Sequence, residues 1–227
     1  MSPRQLADIK RTLNDGRQKF ERLVRLFPQN QVDNRSVTLL NDWQTFIDDD
    51  AKITELSSVE NFQSICGIGS KFSNRQNYAQ LITTAVSGFA EIDLAVHIVR
   101  ERRGAAVKKL PEVAGSRQCD FYVATSPVLL VESKYIEHPT ARKVESVLTN
   151  AAEQVIETAQ QQSLASYDGS VWAFSYRPAA GLDNMQLQQL ITDITNRFRP
   201  QVNGTLRMTL QVYAPGAGAG LYGDSCL

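Results

Sequence analysis

The sequence predicts an α/β fold, and three observations carry the prediction. Short apolar runs with strand-like alternation are interleaved with long stretches at helical spacing, in the order α-β-β-β-α-β-α-β from residue 75 onward. The composition, 42% hydrophobic and 21% charged, is that of a packed globular protein. A chain of 227 residues is long enough for one substantial core with an extension.

Taken in order, residues 3 to 27 carry Leu6, Ile9, Leu13, Phe20, Leu23, Val24 and Phe27 near helical spacing, with Pro28 as the stop. This predicts an amphipathic helix, with Gly16 as a candidate break. A second helix is predicted over 36 to 56, capped by Ser36, with Asp48-Asp49-Asp50 as a solvated face or a helix end. Residues 61 to 74 read as a loop. Their GIGSK lacks the full spacing of a phosphate-binding loop and follows no strand, so it is discounted as one.

A boundary is placed here, giving a helical N-terminal extension over 1 to 73, a main domain over 74 to 214 and a flexible tail over 215 to 227. Helical spacing over 75 to 103 ends at Gly104. Candidate strands follow at 105 to 110, 118 to 124 and 128 to 136. A helix of about 24 residues is predicted from Thr140. A strand at 171 to 176, a helix at 183 to 198 and a strand at 205 to 213 complete the pattern.

Charge and cysteine content bound the function. Twenty-four basic and twenty-four acidic residues balance, so global charge neither demands nor excludes a polyanionic partner. Cys66, Cys119 and Cys226 are scattered, with no C-x-x-C pair, which argues against a disulfide framework or structural zinc and for a reducing, cytoplasmic setting. The charged N-terminus lacks a secretory apolar region, and no run approaches about 18 consecutive apolar residues, so no membrane association is expected.

The run PVLLVESKYI, residues 127 to 136, breaks its own pattern. Glu132 and Lys134 interrupt an interior-type strand, where an uncompensated charge costs several kcal/mol. With period-two alternation both project from one face, about 7 Å apart. If Thr125-Ser126-Pro127 is a hairpin loop and 124 pairs with 128, Asp120 falls opposite Glu132, with Cβ atoms about 5 Å apart. A divalent cation between these carboxylates would remove their repulsion. Mg²⁺ suits one or two carboxylates plus waters and phosphate oxygens; the Ser133 carbonyl could add a ligand, and Lys134 could position a water. Such parts hydrolyse phosphodiesters. The competing reading is an edge strand whose charges face solvent.

Asp120, eleven intervening residues and Glu132-Ser133-Lys134 resemble the signature of the PD-(D/E)XK nuclease superfamily. The resemblance covers roughly residues 75 to 178. It implies a restriction-endonuclease-like mixed central sheet flanked by helices, an αβββαβ core, acting as a Mg²⁺-dependent nuclease (Mn²⁺ substituting) in defence, restriction or repair. It further implies roles for Glu91 on the preceding helix and Gln154 on the following one, with Glu91, Asp120, Glu132 and Ser133 as metal ligands. Cys119 departs from the motif's proline. A non-catalytic module of the same fold, binding nucleic acid or protein, is the alternative.

The partner expected is DNA, with Arg102, Arg103, Lys108, Lys109, Arg142 and Lys143 as candidate phosphate contacts. Homodimerisation or a place in a larger defence or repair complex is a further expectation. Tyr135 and Tyr176 could stack on bases or pack in the core. Asp93 and His97, at i, i+4 spacing, are read as an exposed helix pair ahead of a metal-ligand pair, and His138 as a loop histidine ahead of a substrate contact or proton carrier.

Overall fold

A computed structural model describes residues 1–111 and 117–212; the tail predicted over 215 to 227 lies outside them. The molecule is α/β, with a five-stranded mixed sheet between two sets of helices.

The N-terminal helices are α1 (Pro3–Val24), α2 (Asn34–Asp48), α3 (Asp50–Leu56) and α4 (Phe62–Cys66). Ser2 and Gln5 close a capping box on α1, with Pro3 in its first turn. The helix runs unbroken through Gly16, contrary to the predicted break, because Gly16 serves close packing. A Cβ on the facing Gly69 would lie 2.9 Å from the Gly16 Cα. The predicted helix over 36 to 56 is two helices. Asp33 caps the first, while Asp49 adopts an extended backbone and accepts from the Ala51 and Lys52 N–H groups, starting the second.

Residues 61 to 74 are not the predicted loop. They hold α4 and a 3-10 turn over Gly67–Lys71, fixed by burial of Ile65, Cys66, Ile68 and Phe72. Turns this short are set by tertiary packing, which leaves little periodic trace.

The helix α5 (Tyr78–Glu101) is one continuous element opened by an Asn77/Gln80 capping box. It is long and apolar enough to cross a bilayer by length and composition; here it is buried as the core helix between the N-terminal helices and the sheet. Then come β1 (Val107–Lys109), β2 (Phe121–Val123), β3 (Val128–Tyr135), α6 (Ala141–Gln161, capped by Thr140), β4 (Tyr167–Ser175), α7 (Asn184–Phe198) and β5 (Leu206–Val212). Strand β4 starts four residues before its predicted position, because Tyr167 pairs with Val128 at the beginning of β3.

The sheet order is β1-β2-β3-β4-β5, antiparallel across β1, β2 and β3 and parallel across β3, β4 and β5. Helices α6 and α7 are the parallel crossovers. One sheet face, through Val107, Phe121, Val131, Trp172 and Phe174, shares a core with α5 and with Leu13, Phe20, Trp43 and Phe46 of the N-terminal helices. The other, through Leu130, Val171, Ala173 and Leu206, packs on α6 and α7. Strand β3 is therefore central and covered on both faces. The edge-strand reading of Glu132 fails.

Candidate active site

The β2–β3 hairpin has the register anticipated from its loop length. Phe121 pairs with Val131, Tyr122 with Leu130 and Val123 with Leu129, so one step further Asp120 stands opposite Glu132. At that step, backbone pairing gives way to side chains. The Asp120 N–H donates to Glu132 Oε2 at 3.0 Å, and the Ser133 N–H donates to Asp120 Oδ2 at 2.8 Å. Each strand thus holds the other's carboxylate. Because the N–H and C=O of one strand residue lie along the same edge, the Ser133 carbonyl also faces this side, past the end of β2.

Burial governs the electrostatics. Glu132 is 1% exposed, and burial, reinforced by the Asp120 charge, pushes its carboxyl up to about 8 against the opposing pull of Lys134 and Lys109. Lys134 is partly exposed and ion-paired to Glu132. From α5, Glu91 reaches the same cavity. Burial and then Asp120 push its carboxyl up, while Lys109 and Lys71 pull it down.

Lys109, expected among the phosphate contacts, is instead buried in the carboxylate cluster. Lys109 is 4% exposed, with Nζ 2.7 Å from Asp120 Oδ1, 3.4 Å from Glu91 Oε2 and 5.4 Å from the centre of the Phe121 ring. Burial opposes its charge, yet Asp120 and Glu91 outweigh burial and raise its proton affinity. The carboxylate repulsion expected to require a metal is therefore met partly by a second ammonium group.

Helix α6 fixes the segment before Asp120. Gln154 Nε2 donates to the Gln118 carbonyl at 3.4 Å, and the fully buried Thr158 hydroxyl accepts from the Cys119 N–H at 2.8 Å while donating to the Gln154 carbonyl at 2.7 Å. Gln154 thus acts through the backbone of the Asp120 segment. Thr158 was not anticipated, since a threonine inside an amphipathic helix carries no motif. Cys119 lies in the core against α6, and burial raises its thiol well above the ordinary value, which suits an inert side chain.

These groups open on a cavity of about 640 Å³ lined by Ser87, Glu91, Lys109, Asp120, Glu132, Ser133, Lys134 and Gln154, with Arg117 and Gln118 on its wall. The remaining predicted phosphate contacts are dispersed. Arg102 and Arg103 follow the end of α5, about 16 Å along the chain from Glu91 at helical rise. Lys108 pairs with Glu60 at 2.9 Å, and Arg142 and Lys143 are exposed in the first turn of α6. The Tyr135 ring packs against both Phe174 and Tyr176. Asp93 is not the exposed residue anticipated; it is 7% exposed, 4.0 Å from Lys52, and the His97 ring packs on Trp172. His138 is exposed beside Arg177.

The donor types, three carboxylates and a backbone carbonyl edge around one cavity, are those a hard divalent cation takes. Among the described residues, no three acidic, His or Cys side chains are gathered as a ligand group; Lys109 stands between Glu91 and Asp120. Comparison with protein-family models, curated proteins and solved structures finds no match.

Proposed function

We propose that this chain is a metal-dependent nuclease hydrolysing DNA phosphodiester bonds, in a restriction-endonuclease-like fold that resembles the PD-(D/E)XK superfamily and serves defence or repair. The observation that carries this reading is the convergence of Asp120, Glu132 and Lys134 at the end of one hairpin, in an open cavity that also takes in Glu91 and Gln154. Glu91, Asp120 and Glu132 would hold Mg²⁺ or Mn²⁺ together with the Ser133 carbonyl. When bound, such an ion supplies Lewis acidity toward a phosphoryl oxygen and makes a water easier to ionise.

The chain's own residues do the rest. Glu132 orients Lys134 through their ion pair, so the partly exposed ammonium points into the cavity. There it orients the attacking water and stabilises negative charge growing on the phosphate. Gln154 and Thr158 hold the Gln118–Cys119 backbone, and with it Asp120. The test is cleavage of linear, nicked, branched and single-stranded DNA with Mg²⁺ by the native chain, Asp120→Asn and Lys134→Ala. Both variants should keep the native circular-dichroism spectrum and lose cleavage; undiminished cleavage in both would refute the assignment.

One observation favours a second reading, a non-catalytic module that binds nucleic acid or a protein. Lys109 already supplies positive charge between two of the carboxylates. Titration calorimetry separates the readings, since the absence of Mn²⁺ binding supports the module.

A further inference from the structure

Lys109 closes β1 and carries its ammonium into the carboxylate cluster rather than to solvent. It bonds to Asp120 Oδ1 at 2.7 Å and lies 3.4 Å from Glu91 Oε2, so it bridges a carboxylate on α5 and one on the hairpin. The other Asp120 oxygen accepts from the Ser133 N–H. On Glu132, one oxygen accepts from the Asp120 N–H and the other is paired with Lys134. Every oxygen of the Asp120–Glu132 pair therefore already has a donor.

Mg²⁺ takes its oxygen ligands at about 2.0–2.1 Å. An ion bound to Asp120 Oδ1 at that distance would share the oxygen with the Lys109 ammonium, against like-charge repulsion that a buried setting screens poorly.

Resting on the metal-dependent reading, we propose that Lys109 is an internal counter-ion that competes with the metal for Asp120 and Glu91. It is a positioning residue. Its ammonium holds the two carboxylates together before the metal arrives, and its displacement sets the metal concentration at which the site fills. A purely structural ion pair predicts the opposite response to removal, because losing such a pair would disorder the ligands and weaken metal binding.

The experiment is Mn²⁺ titration calorimetry on the full chain, stripped with EDTA, for the native protein, Lys109→Met and Lys109→Arg, with thermal melts in EDTA and in Mn²⁺. Lys109→Met should melt lower than native in EDTA, bind Mn²⁺ roughly tenfold or more tightly, and regain stability when Mn²⁺ is added. Lys109→Arg, which keeps the charge, should bind Mn²⁺ no more tightly than native. If Lys109→Met does not fold in EDTA, Lys109→Gln, which keeps a hydrogen-bond donor, is read in the same way. Mn²⁺ affinity in the neutral variant equal to or weaker than native would overturn this inference alone. No Mn²⁺ binding by any of the proteins would overturn the metal-dependent reading and this inference with it.

Discussion

Glu132 and Lys134 share one side of β3 but not one environment: the carboxylate is buried in the centre of the sheet, while its ion-paired ammonium lies in the cavity, partly open to solvent. The strand thus presents the ammonium outward and keeps its partner carboxyl inside.

That asymmetry has a signature in pH. In the unfolded chain Glu132 ionises near its ordinary 4.5, whereas burial, then Asp120, delay its ionisation in the fold to about 8. Between those values the unfolded state has lost a proton that the native state retains, so stability falls as pH rises through this window. Thermal melts in EDTA should show the decline, and Glu132→Gln should lessen it, leaving the part that the raised Glu91 carboxyl contributes. The variant should melt above the native protein at pH 8 while losing the proposed cleavage, an exchange of stability for function.

Thr158 gives a test of support from outside the cavity. Thr158→Val keeps the shape but leaves the buried Cys119 N–H without its acceptor, at a cost of about 1–3 kcal/mol in urea unfolding. Thr158→Ser should recover most of that loss. The proposed cleavage should fall in the valine variant as Asp120 loses its fixed approach, and return in the serine variant.

Gly88 on α5 makes room for Ile68 in the preceding 3-10 turn. A Cβ at this position would lie 2.6 Å from Ile68 Cγ1. Gly88→Ala should therefore destabilise by about 1–3 kcal/mol through overpacking, and Ile68→Ala by about 2–5 kcal/mol through the cavity it leaves. The double variant should lose less than the sum, because the added methyl occupies space the isoleucine vacates. Strict additivity in denaturant midpoints would count against direct contact.

The legible parts of this molecule were those with local causes. The hairpin register followed from loop length and from charges interrupting apolar alternation, and α7 carried its capping box in the sequence itself. Lys109 was hidden for a physical reason. A Lys-Lys pair on a three-residue strand looks like surface, and its burial depends on Asp120 and on Glu91, eighteen residues earlier on another element. The turns at 62 to 71 owe their shape to partners such as Gly16 and Gly88, far away in sequence.

The core joining the N-terminal helices to α5 and one sheet face constrains how the first 73 residues can be studied. Arg35 of α2 also reaches Glu137, just beyond β3, at 3.0 Å. Deleting the segment would strip cover from α5 and open a broad apolar face, so a truncated chain would report aggregation rather than the segment's own role. The part these helices play is accessible only through substitutions on their outer surfaces, made one side chain at a time in the intact protein.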